Sequence, residues 1–169
     1  MSALTSIARS LPFVGSKGFT FSETMAGHHV LLEGDRAGER LPFKFDAVMT
    51  SDSLADFIFG GAGEKAVSRL EGTLNAEGLA TNTPIRGTLE YHFGRQRGML
   101  VYAFDFTGDD GRAYHFRGEK HREVPNITKG MTTLHGKVTA KQTGELISQG
   151  ISYFDMKDLP EFLGSYRLV

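Results

Sequence analysis

The chain has 169 residues, 40% hydrophobic and 23% charged, with a formal net charge of −1, which is the composition of a soluble globular domain long enough to bury a core. Its lysines and arginines are scattered and nearly balanced by acids, so no basic field exists to hold a phosphate backbone, and nucleic acid is excluded as a partner. There is no cysteine, which rules out disulfides, thiolate nucleophiles and cysteine-ligated zinc and fits a cytoplasmic protein.

Residues 1–18 read as an N-terminal segment. Its apolar run is too short and interrupted for a signal peptide or membrane span, so no integral membrane segment is expected. Leu4, Ile7, Ala8 and Leu11 share a face at helical spacing, which predicts a short amphipathic helix over 2–11. Residues 19–169 read as a single β domain. Over 19–25, Phe19, Phe21, Glu23 and Met25 alternate with Thr20, Ser22 and Thr24, the period of a strand. Phe43, Phe45, Ala47 and Met49 do the same over 43–49, and Leu89, Tyr91 and Phe93 over 86–93. Further strands are predicted at 28–34, 68–74, 112–121, 131–140 and 145–154. Residues 99–106 are apolar on both faces, as in a strand covered on both sides. Asp110-Gly111 is a hairpin signal.

Glycine supplies 21 of the 169 residues, about 12% against a usual ~7%, and it recurs between the apolar runs like turn punctuation. This spacing predicts an all-β, antiparallel fold of about eight to ten strands. A closed barrel, lipocalin-like or calycin-like in the loose sense, is preferred to a β-sandwich because closure removes sheet edges.

Two short helices are predicted at 53–59 and 158–164. Ser53 with Asp56, and Asp158 with Glu161, have the spacing of capping boxes, and Pro160 falls where its missing N–H costs nothing. Leu54, Phe57 and Ile58 match Leu159, Phe162 and Leu163 at one offset, and Thr24-Met25-Ala26-Gly27 resembles Thr133-Leu134-His135-Gly136. The implied unit is strand, turn, strand, short helix, present at both ends of the domain.

Gly61-Ala62-Gly63-Glu64-Lys65-Ala66 fits the dinucleotide fingerprint G-x-G-x-x-G/A. That motif needs a strand before its glycines and a helix after them. Here a helical pattern precedes and strand patterning follows, so the match reads as a helix-to-strand connection and no cofactor is expected. His28 and His29 point to opposite faces of a strand. His92, His115 and His135, with Glu90 or Glu119, could converge on a metal or acid–base site, but solvent-facing histidines are the preferred reading. Asp105, Asp109 and Asp110 bracket a polar hairpin tip, and Asp105, inside an apolar strand, calls for a cationic partner or an outward position. No G-x-S-x-G motif occurs. Phe93, Tyr102, Phe104, Phe106, Tyr114 and Phe116 gather in the middle hairpins, either as plain core or as the wall of an apolar pocket with His115 beside it; a barrel of about eight strands can hold one small ligand.

Phe106-Thr107, Gly111-Arg112, Tyr114, Gly118-Glu119-Lys120, Thr132-Thr133-Leu134 and Asp158-Leu159 form a series that resembles the small β-rich accessory region appended to some cholesterol-oxidase-like members of the GMC flavoprotein family, over roughly residues 19–163. The flavin-binding and catalytic portions of those oxidases have no counterpart in these residues, so redox chemistry does not transfer. The resemblance implies a free-standing β domain that handles sterol-like or lipid ligands, or a partner enzyme. The function expected is therefore a non-enzymatic binding or accessory module for an apolar small molecule. One alternative is a barrel-type isomerase or cyclase in which Tyr114, His115 or Glu119 supplies acid–base work. The other is a structural domain that forms homodimers.

Overall fold

The computed structural model describes residues 17–53, 65–92, 98–121 and 127–169. Eight antiparallel strands follow one another around a ring: β1 (Phe19–Leu31), β2 (Arg40–Ser51), β3 (Lys65–Ala76), β4 (Ala80–His92), β5 (Met99–Thr107), β6 (Ala113–Lys120), β7 (Thr133–Ala140) and β8 (Leu146–Tyr153). β1 pairs with β2 on one side, Met25 opposite Phe45, and with β8 on the other, His29 opposite Gly150. The sheet thus closes on itself as a barrel, and the sandwich alternative falls away. A helix α1 (Ile127–Thr132) precedes β7; after β8 come a 3-10 turn (Met156–Asp158), a helix α2 (Leu159–Gly164) and a two-residue strand β9 (Arg167–Leu168) against the start of β1.

The strand period decides what faces inward. Phe19, Phe21, Glu23 and Met25 of β1 are buried while Ser22 is exposed; Leu41, Phe43, Phe45, Ala47 and Met49 of β2 are buried between exposed Pro42, Lys44 and Val48. The covered-strand reading of 99–106 holds for its first half, where Met99 to Tyr102 are all buried; Asp105 is exposed.

Several elements depart from expectation for identifiable reasons. The strands expected at 19–25 and 28–34 are one strand, β1, passing straight through Gly27. A Cβ there would stand 2.0 Å from the Ile151 carbonyl oxygen, so this glycine marks a close approach between neighbouring strands. The same holds at Gly72 and Gly87, each 1.9 Å from a carbonyl oxygen of the next strand. Much of the glycine excess therefore lies inside strands, where the barrel's coiling presses backbones together. β4 begins at Ala80, ahead of its predicted start. Pro84 disguises this stretch, but it lies past Arg86, where the ladder to β5 stops, and has one strand neighbour instead of two. Residues 131–132 close helix α1 rather than open β7. At α2 the Asp158 side chain makes no cap hydrogen bond; Asp155 accepts from the Lys157 amide and caps the preceding 3-10 turn. Gly111, at φ 79°, makes the β5–β6 turn as its sequence implies. Lys65-Ala66, the end of the dinucleotide-like match, opens a strand and not a helix. The helices predicted at 2–11 and 53–59, the glycines of that match, one half of the helix repeat, and Phe93 lie outside the described residues. β7 does echo β1: Leu134 and Gly136 face inward as Met25 and Gly27 do.

The two ends of the barrel differ. At one end the connections β1–β2, β3–β4, β5–β6 and β7–β8 are short turns. Helix α1 and the tail after β8 belong to the other end. The turn end is stitched: the Asp109 carboxylate accepts from the amide and hydroxyl of Thr81, at 2.9 and 2.8 Å, and Asp110 accepts from the Tyr114 hydroxyl at 2.6 Å.

Candidate functional site

The turn-end half of the interior is filled by aromatic rings. Phe104 stacks on Phe116 with centroids 4.6 Å apart; Phe43 stacks on Phe116 at 5.4 Å; Phe45 meets Phe104 edge-on at 5.3 Å; Phe106 stacks on Tyr114 at 5.5 Å. A void of about 10 Å³ lies beside Phe116, at the lower limit of what one water needs. His29 also faces inward here. Its Nε2 lies 3.0 Å from the Glu77 carbonyl oxygen and its Nδ1 3.1 Å from Ser148 Oγ. A carbonyl can only accept, so Nε2 carries the proton and Nδ1 accepts from the serine. Burial pushes the imidazole pKa down, against an upward pull from the Glu77 carbonyl.

The other half is hollow. A cavity of about 290 Å³ opens at the barrel mouth, walled by Phe21, Leu89, Tyr91, Leu100 and Tyr102 from the strands and by Met131, Phe154, Leu159, Phe162 and Tyr166 from the helical segments. The tail builds the roof. Phe162 meets Phe21 edge-on at 5.7 Å and Phe154 at 5.3 Å; Tyr166 stacks on Phe21 at 4.9 Å. Ser165 Oγ accepts from the Ser22 amide at 2.9 Å, and the Val169 amide donates to the Gly18 carbonyl at 3.0 Å, so the tail is held along β1.

Two charges stand in this apolar enclosure. Glu23 lies on the inward face of β1 and Lys120 on the inward face of β6, and their side chains are 6% and 3% exposed. Lys120 Nζ donates to Glu23 Oε1 at 2.6 Å, and the Tyr102 hydroxyl donates to Glu23 Oε2 at 2.7 Å. Lys120 Nζ also lies 5.0 Å from the Tyr102 ring centroid, within cation–π range. Burial, then the charge on Glu23, pushes the Tyr102 phenol pKa well up. Tyr166 is raised to about 12 by burial and then by the same carboxylate. Both phenols therefore stay protonated at neutral pH.

The residues singled out from sequence distribute unevenly. Tyr102 lines the cavity. Phe104, Phe106, Tyr114 and Phe116 face inward but belong to the filled half, where ring-on-ring packing leaves no room for a ligand. His115 points outward and its Nδ1 bonds Asp105 at 2.7 Å; Lys141 bonds the same carboxylate at 2.6 Å, so Asp105 takes the outward position and meets its cation there. His92 bonds Glu90 on its own strand at 2.9 Å, and His135 lies opposite Glu119 on the outer face. These three histidines do not converge, and no three His, Asp or Glu among the described residues are grouped to hold a metal ion. Tyr114, His115 and Glu119, the acid–base candidates, do not line the mouth cavity. A broad outer depression across β6, β7, β8 and β1 contains His28, His115, His121 and His135; His28 is paired with Arg40, and His121 with Glu119.

Glu23 and Lys120 were missed as site residues. The signal was present, since each is a charge standing in the apolar phase of its strand: Glu23 between Phe21 and Met25, Lys120 two residues beyond Gly118 and four beyond Phe116. No protein-family model, curated protein or solved structure matches this chain.

Proposed function

We propose that this protein is a binding module for one small apolar molecule, seated in the mouth cavity of the barrel. The observation that carries this reading is the cavity itself: about 290 Å³, walled largely by aromatic and aliphatic side chains, with a polar cluster of Glu23, Lys120 and Tyr102. That combination of greasy walls and a few fixed polar groups is how ligand pockets achieve both affinity and orientation. Binding is favoured over catalysis because each Glu23 oxygen already accepts a hydrogen bond and Tyr102 spends its proton on Glu23. Such mutual satisfaction holds a charge in place rather than moving a proton.

The volume sits at the small end of the ~300–1,000 Å³ typical of ligand pockets. It suits an acyl segment or a compact ring system; a whole sterol, as the oxidase-like resemblance suggests, would project past Phe162 and Tyr166. The test is native mass spectrometry of protein purified from its own host, with Leu89→Phe as the control that occupies the cavity. The expected result is a discrete apolar adduct on the parent chain, lost in Leu89→Phe. An adduct retained at equal occupancy in Leu89→Phe, or none on either protein, would remove the reading.

A further inference from the structure

The chemistry of the polar cluster goes further than occupancy and, resting on the binding reading above, specifies the ligand's polar end. We propose that it is an uncharged hydrogen-bond acceptor, the carbonyl oxygen of a ketone, aldehyde or ester, seated on Lys120, and that carboxylates are rejected.

Hydrogen-bond accounting comes first. A lysine ammonium has three N–H donors. Lys120 gives one to Glu23 and holds its charge over the Tyr102 ring, and it makes no other hydrogen bond among the described residues. It is almost wholly buried and borders the cavity. Two donors of a buried cation are therefore available to whatever fills the space, and leaving them unmet is costly. Glu23 is differently placed, with one bond on each oxygen. The cluster thus offers donors to the cavity, which selects an acceptor.

Charge comes second. Among the described residues, Glu23 and Lys120 are the only charged ones lining the cavity, and together they sum to zero. A carboxylate ligand would leave one uncompensated negative charge among aromatic walls, at the desolvation penalty that buried ions incur. A carbonyl takes the same N–H without adding charge. Its alkyl or ring body then lies against Leu89, Leu100 and Phe21, where only contact is required.

Two probes of equal chain length separate these cases: 2-decanone and decanoate, each titrated calorimetrically at neutral pH into the parent protein. The parent should bind 2-decanone at least about tenfold more tightly, because the carboxylate takes the same N–H but buries an uncompensated charge. Glu23→Gln leaves Lys120 as an unbalanced cation and should reverse the order, now favouring decanoate. The double variant Glu23→Gln with Lys120→Met carries no buried charge and should lose about tenfold for 2-decanone. It also keeps the test decisive if Glu23→Gln alone does not fold, because removing both members of a buried pair is far better tolerated than removing one. Equal or tighter binding of decanoate by the parent overturns the carbonyl assignment while the cavity reading stands. So does 2-decanone binding that is unchanged in the double variant. Failure of the parent to bind either probe overturns both.

Discussion

Ile85 and Leu89 lie on the same strand, face the same interior and are both buried, at 1% and 2% exposure. Ile85 sits among the rings of the filled half, while Leu89, two inward positions along, borders the cavity. Neither local hydrophobicity nor burial distinguishes them. What differs is who else arrives. Toward the turn end, β2, β5 and β6 each contribute large rings to one layer: Phe43 and Phe45, Phe104 and Phe106, Tyr114 and Phe116. Toward the mouth some inward positions pass to Glu23, Lys120 and Ser68, and the strand rings Phe21, Tyr91 and Tyr102 are joined by Phe154, Phe162 and Tyr166 from the tail. An eight-stranded barrel is just wide enough either to fill with side chains or to hold one small ligand. This one does each in a different half.

The comparison can be broken at its strong end. Phe104→Ala removes a ring in contact with Phe45, Phe106 and Phe116 and should cost about 3–5 kcal/mol of stability in chemical denaturation. Phe162→Ala, in the half-buried roof, should cost only about 1 kcal/mol. Equal losses would mean that the roof is as much a part of the core as the filled layer. A finer contrast uses β4 alone. Ile85→Phe overpacks the filled half and should destabilise by about 2 kcal/mol, whereas Leu89→Phe has empty space to enter and should stay within about 1 kcal/mol of the parent. If Leu89→Phe proves the more damaging, the cavity is not available volume.

The smallest effect concerns pH. His29 is neutral in the filled half because burial lowers its folded pKa below the ordinary 6.5. The unfolded chain therefore binds the proton more readily. Its contribution to stability is complete above about pH 6.5 and is lost as pH falls from there toward the lower folded value, with a slope on the order of 1 kcal/mol per pH unit at most. Denaturation midpoints measured across this window should decline for the parent and for Leu89→Phe alike. His29→Leu should flatten the decline; an unaltered slope would assign it to other groups.

Much of the fold was legible because strand period two is a strong signal. Phe19, Phe21, Glu23 and Met25 on one face, and Phe43, Phe45, Ala47 and Met49 on another, fix which side chains share the interior. Ring closure was favoured on edge grounds, and the pairing of β1 with both β2 and β8 realises it. The site was only partly legible. Alternation says which residues face inward but not at what height around a staggered ring, so Phe104, Phe106, Tyr114 and Phe116 could not be told from Tyr102 as cavity wall. Height depends on register, and register on β1 runs through Gly27, which looks like a break in the sequence and is continuous strand in three dimensions. The charged residues in the apolar phase were the stronger clue, since burying Glu23 requires a cation and Lys120 was the matching exception on another inward face.

The first strand of the ring closes against the last. His29 meets Ser148 across 119 positions, and Glu23 meets Lys120 across 97. During synthesis β1 can pair with β2 early, but its second edge stays open until β8 has emerged, and Glu23 stays hydrated until β6 delivers its cation. Mouth and roof are then assembled after the ring, since the tail that covers the cavity is made after all eight strands. Folding is accordingly governed by long-range closure, which is slow compared with local helix or hairpin formation, and the nascent chain carries an unsealed strand edge until β8 emerges.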